Sequence, residues 1–200
     1  IPKELGRSML GIVDETGRLQ YGQIFVQYTR NSNEKLPPRS NMQHMKVQGS
    51  QVVTGTVLLT KNPCIVTGDV RIFEAVDIPE LHHLCDVVVF PQHGPRPHPD
   101  EMAGSDLDGD EYSVIWDQQL LLDKNEAPFD FTVEKKEMPY DREMIDQLMH
   151  EFYVKYLKLD SVGTISNNHL HNSDQYGLNS RVCMDLAKKN CQAVDFTKSG

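Results

Sequence analysis

Apolar residues gather in short runs over the first two thirds of the chain and along a helical stripe in the last third. Leu10 to Val13 is an apolar run that closes on Asp14-Glu15-Thr16-Gly17, a turn signal. Gln23 to Tyr28 resumes as a strand, so the pattern predicts a hairpin between the two. Gln51 to Leu59 reads as a strand broken or bulged at Gly55. Cys64 to Val66, Val70 to Val76 and Cys85 to Phe90 are short runs bounded by Pro, Gly and Asp, which suits buried strands of a barrel or sandwich. Two irregular stretches interrupt them: Asn31 to Asn41, polar with Pro37-Pro38, and Pro91 to Pro99, stiffened by four prolines. Tyr112 to Trp116 then reads as a strand.

Beyond Pro128 the period changes. Met144, Ile145, Leu148, Met149, Phe152, Tyr153, Tyr156 and Leu157 form a helical stripe that predicts a helix over Asp141 to Leu159, its apolar face packed in a core. Val162 to Asp174 and Asn179 to Asn190 predict two further helices, separated by Gly177, with Asn179 or Ser180 capping the last. The expected class is α+β, with a β-rich part over residues 1–125 and a helical region over 126–200.

Two hundred residues suffice for one sizeable core or for part of a larger assembly. The chain opens on Ile1 and reads as a piece of something longer. Its net charge of -9 argues against a domain that merely coats nucleic acid, though not against an enzyme that handles it. Cys64, Cys85, Cys183 and Cys191 form no CxxC pair, which fits free thiols in a reducing compartment and an intracellular location. No apolar run approaches the ~20 residues of a membrane-spanning helix.

The chemistry concentrates in Gly104-Ser105-Asp106-Leu107-Asp108-Gly109-Asp110. Three carboxylates this close repel one another unless a cation shares the site, and hard oxygen ligands suit magnesium, calcium or manganese rather than zinc. On a straight strand, residues two apart are separated by ~7 Å, too far for all three to reach one magnesium at ~2.1 Å. The chain must therefore turn, and Gly109 is placed to allow it. A helix-loop-helix calcium site is disfavoured: Asp106, Asp108, Asp110 and Asp117 match its spacing, but its glycine position holds Glu111. An acidic surface turn without any ligand is the plain alternative. The favoured chemistry is phosphoryl transfer assisted by divalent cations. Lys61, Arg71 and Arg96 are candidate phosphate contacts; Lys61 and Arg71 are equally readable as surface cations or as partners of Asp69, and Arg96 is a similar case. His93 and His98 read as structural hydrogen-bonders of the proline loop. His169, His171 and Asp174 make no metal set on a helix, because residues two apart do not share a face.

The run Asp86 to Pro99, followed by Gly104 to Asp110, resembles the signature of the cellular RNA-dependent RNA polymerases of RNA silencing. Lys61 to Arg71, Leu10 to Glu15, Gly163 to His169 and Ala193 to Gly200 are similar to the same family, so the likeness runs nearly end to end. It implies a double-psi β-barrel, the second of two in the polymerase core, followed by helices. It implies Asp106, Asp108 and Asp110 as magnesium or manganese ligands. It also implies RNA template and product, ribonucleoside triphosphates and RNA-silencing proteins as partners, and a first barrel elsewhere that supplies basic residues. A large subunit of a DNA-dependent RNA polymerase, or a non-catalytic domain holding a structural cation, are the rival classes.

Overall fold

A computed structural model describes residues 2–30, 49–130, 145–159 and 161–194. The predicted loop from Asn31 to Asn41, the start of the long helix at 141–144 and the motif segment 195–200 lie outside the described residues. The chain divides into two compact units, Ile1–Asp130 and Phe131–Gly200.

The first unit holds seven strands: β1 (Gly6–Val13), β2 (Gln23–Thr29), β3 (Ser50–Val52), β4 (Gly55–Lys61), β5 (Val70–Ala75), β6 (Val87–Phe90) and β7 (Glu111–Ile115). Pairing runs β2-β5-β4-β7-β1-β6 and returns from β6 to β2, closing a six-stranded barrel, with β3 added along β2. Two contacts are parallel, β1 with β6 and β2 with β5, and the others around the ring are antiparallel.

The predicted hairpin of β1 and β2 is not formed. β6 lies between them, Gly11 opposite Val88 on one side and Val26 opposite Val88 on the other. The turn is diverted by Asp14, which is fully buried. Its N–H donates to the Phe90 carbonyl at 2.8 Å, and its carboxylate accepts the Thr16 and Leu19 N–H groups at 2.9 and 2.8 Å. The chain is thus carried past β6 instead of doubling back. Cys64 to Val66 also departs from expectation. It is a turn leading into a short helical turn at Thr67–Asp69, because the Asp69 carboxylate captures the Ile65 and Val66 N–H groups at 2.9 and 3.0 Å. The expected break is present: the strand stops at Val52 and resumes at Gly55, whose φ of 93 favours glycine.

Alternation along the strands sends one set of side chains inward. Ile24, Val26, Val57, Leu59, Phe73, Val88, Phe90, Tyr112 and Val114 share the interior cluster. Phe90 meets Phe73 and Tyr112 edge-on, at 6.3 and 5.0 Å between centroids. The opposite faces of β2 and β6 are also covered, since Phe25 and Val89 pack with Leu19 and Leu81 in a second cluster. Each such side chain contributes about 1.5–3 kcal/mol on burial.

The second unit contains α1 (Ile145–Leu159), α2 (Val162–Tyr176) and α3 (Arg181–Val194). Cys183, Ala187 and Asn190 form the buried face of α3, and the Ser166 hydroxyl donates to the Asn190 side-chain carbonyl at 2.9 Å. Gly177 (φ 84) ends α2, and the Ser180 hydroxyl accepts the Cys183 N–H at the start of α3. On α1, Met149, Tyr153 and Leu157 stand exposed, so the stripe expected to pack in a core does not bury these side chains. No helix among the described residues is long and apolar enough to cross a membrane.

Candidate metal centre

The acidic loop joins β6 to β7, and both strands pair with β1, so it leaves on one side of β1 and returns on the other. Its first part is a compact turn: Met102 N–H donates to the Pro99 carbonyl at 2.9 Å, and the fully buried Met102 side chain anchors it to the barrel interior. Ala103, Gly104, Leu107 and Gly109 all have positive φ (52, 64, 67 and 120), so the chain turns repeatedly and not at Gly109 alone. Leu107 tucks beneath, against β1. A Cβ added at Gly11 would lie 2.7 Å from the Leu107 side chain and 2.4 Å from the Tyr112 ring, so only glycine lets the loop sit this close.

This winding brings carboxylate oxygens of Asp106, Asp108 and Asp110 within 4.8 Å of one another. Asp106 and Asp108 are exposed, and Asp110 is half-buried. Asp110 is held on both oxygens. Lys61 Nζ pairs with Oδ1 at 2.7 Å, and the Ser105 hydroxyl donates to Oδ2. Ser105 in turn is bonded to the Tyr112 hydroxyl, which must act as donor because Ser105 spends its proton on Asp110. Burial alone would raise the Asp110 carboxyl. The Lys61 ammonium, the Ser105 hydroxyl and the Asp106 N–H outweigh it and hold the group below its ordinary range, ionised at neutral pH. Burial pushes the Tyr112 phenol far above its usual value, which keeps it a neutral donor.

The donor set fits a hard divalent cation. Oxygens around magnesium stand roughly 3–4 Å apart, a modest closure that the exposed Asp106 and Asp108 side chains can make. Lys61 balances one of the three carboxylates, which leaves two negative charges in the cluster for a divalent ion.

The expected phosphate contacts fare differently from one another. Lys61 stands in the aspartate cluster. Arg71 is buried, paired with Glu101 at 3.1 Å and donating to the Glu126 carbonyl at 3.2 Å. Arg96 is committed to Asp100 at 2.5 Å and to the Phe129 carbonyl at 2.9 Å. His98 is buried: its Nε2 accepts the Gly22 N–H at 2.8 Å, so its Nδ1 carries the proton donated to Glu101 at 2.6 Å. Tyr21 completes this network, donating to Glu101 at 2.7 Å and stacking on His98. His169 is buried on α2, which lowers its pKa, and it lies outside the cluster of carboxylates.

Sequence reasoning did not find Ser105, Tyr112, Gly11 or Asp69 as supports of the site. Ser105 sits beside the first aspartate, and Gly11 interrupts an apolar run; those were the available signals. Asp69 was readable only as an ion-pair partner of Lys61 or Arg71, but those pair with Asp110 and Glu101, and Asp69 binds backbone N–H groups.

The whole chain, residues 1–200, matches the family described as RNA dependent RNA polymerase. The chain belongs to this family. It is 44% identical over 197 residues to RNA-dependent RNA polymerase 1 of Arabidopsis thaliana, covering 98% of this chain and 16% of that protein. It is 42% identical to Probable RNA-dependent RNA polymerase 1 of Oryza sativa subsp. japonica, with all of this chain and 25% of that one covered. RNA-dependent RNA polymerase 1 of Schizosaccharomyces pombe is 38% identical over 217 residues, again with all of this chain and 17% of that protein. The chain thus spans between a sixth and a quarter of these polymerases. Among solved structures, the RNA dependent RNA polymerase QDE-1 from Thielavia terrestris superposes with a TM-score of 0.76 at 20% identity, over 98% of this chain and 22% of that one. The two share the closed double-psi-like barrel followed by helices.

Proposed function

We propose that this chain forms the catalytic barrel and adjoining helical region of an RNA-templated RNA polymerase of RNA silencing, which joins ribonucleoside triphosphates and releases pyrophosphate. The observation that carries the reading is the convergence of Asp106, Asp108 and Asp110 on one point of a loop braced by the barrel. In this reading the three carboxylates hold magnesium or manganese. Such ions, when bound, would acidify the attacking 3′-hydroxyl and neutralise the departing pyrophosphate. The chain's own contribution is placement. Ser105 and Lys61 fix the Asp110 carboxylate, while Gly11 and Leu107 seat the loop that carries the other two. Catalysis then rests on alignment and preorganised charge instead of a protein nucleophile. Arg71 and Arg96 serve the reaction by bracing the scaffold through the carboxylates they pair with.

The test is Asp108→Asn in the complete polymerase, assayed with RNA template, labelled nucleotides and a magnesium series. Polymerisation is expected to fall about 10³-fold. Retained synthesis with ordinary magnesium dependence refutes the assignment, and a preference for DNA template moves it to the DNA-dependent enzymes.

A further inference from the structure

We propose that Lys61 is a positioning residue of the aspartate site, whose ammonium sets how tightly the trio holds a divalent cation by pairing with Asp110. This rests on the reading of the trio as a metal site. Lys61 is the last residue of β4 and sits opposite Tyr112 in the β4–β7 register. Asp110 immediately precedes β7, so the ladder itself delivers the ammonium to the carboxylate. The pair is sheltered, with side chains only 17% and 15% exposed, where a charge acts more strongly than at an open surface. The chain on either side is fixed as well. Asp69 binds the Ile65 and Val66 N–H groups of the turn that follows Lys61, and the Ala103 N–H of the acidic loop. Lys61 is therefore not a loose surface lysine waiting for a phosphate.

Two consequences of opposite sign follow. The ammonium repels an incoming cation and offsets one of the three carboxylates, so removing it tightens cation binding. It also pins Asp110, so removing it lets that ligand wander and slows turnover. A lysine that contacts nucleotide phosphate, or one that only braces the fold, gives no gain in cation affinity.

The experiment uses the complete polymerase and Mn2+ alone as probe, with free Mn2+ read by electron paramagnetic resonance. Lys61→Met is expected to bind Mn2+ about tenfold tighter. Its kcat is expected to fall about tenfold with the nucleotide KM within about twofold of the parent. Lys61→Arg, which keeps the charge, is expected to bind Mn2+ within about twofold of the parent. Lys61→Gln is read by the same criteria as Lys61→Met should the latter not fold. Unchanged or weaker Mn2+ binding in the uncharged variants overturns the proposal, as does a raised nucleotide KM with unaltered Mn2+ affinity. Asp108→Asn separates the two levels. If it loses Mn2+ binding while Lys61→Met changes nothing, only the Lys61 role fails. If it binds Mn2+ like the parent, the trio is not the cation site, and both readings fall.

Discussion

The buried Asp69 carboxylate accepts the Ala103 N–H at 3.0 Å, joining two loops 34 residues apart in the chain. Its other oxygen takes the Ile65 and Val66 N–H groups, so one side chain ties the turn after β4 to the base of the acidic loop. Asp69→Ala strands three backbone donors and is expected to cost about 3–5 kcal/mol, with Asp69→Asn costing about 1–3 kcal/mol. Urea unfolding gives the magnitude. Hydrogen exchange gives the location: the Ile65, Val66 and Ala103 amides should exchange faster, whereas an effect spread evenly over the barrel would contradict the tie.

Arg71 is expected to act on stability and not on nucleotide binding. Its guanidinium is buried against Glu101, which also accepts from Tyr21 and His98. Arg71→Met removes the cation from this network and should cost about 3 kcal/mol, and a second change, Glu101→Gln, should recover part of that loss. Thermal melts and nucleotide KM, measured on the same variants, decide the point. A raised KM with an unchanged melt would assign Arg71 to phosphate.

Acid should weaken the barrel through a small set of carboxylates. Burial works to raise Asp14, Glu101 and Asp110 alike, but hydrogen bonds and cations prevail and each lies below its ordinary value of 3.8 (Asp) or 4.5 (Glu). A folded pKa below the unfolded one means that the unfolded chain takes up protons first. The stabilisation is therefore complete above the unfolded values and is lost as pH falls through the lower, folded ones. The urea midpoint should be flat from about pH 7 to 6 and drop below about pH 4.5, and Asp14→Asn should flatten that drop.

Gly11→Ala probes the seat of the loop. The new methyl would stand 2.4 Å from the Tyr112 ring and 2.7 Å from Leu107. The expected loss is about 1–3 kcal/mol, accompanied by weaker Mn2+ binding because Leu107 and Tyr112 carry the trio's supports. A stable variant with unaltered Mn2+ affinity would show that the loop is held elsewhere.

The strands were readable where the information is local. β4 and β6 are continuous apolar runs, β5 and β7 alternate, and the break ahead of β4 is marked by one residue, Gly55. The pairing was not readable, because β6 enters between β1 and β2 from more than fifty residues downstream, and local pattern favours the nearest partner. Ile65 and Val66 look like strand residues, yet Asp69 claims their N–H groups and no ladder can form there. In the site, the three aspartates and the need for a turn were plain from spacing alone. The positive φ of Leu107 was not, since leucine has no intrinsic liking for that conformation and adopts it only where packing beside Gly11 demands it.

β6 and β7 flank the same strand, so the feet of the segment between them stand two strand spacings apart, roughly 10 Å. That span belongs to β1 and not to the segment. The arch does not have to hold that span itself: its acidic tip is moored separately through Met102, Asp69 and Gly11, and its middle at Gly94, where an added Cβ would meet the Tyr21 ring at 2.2 Å. The tip thus takes its place from the barrel wall, and the arch only closes the distance.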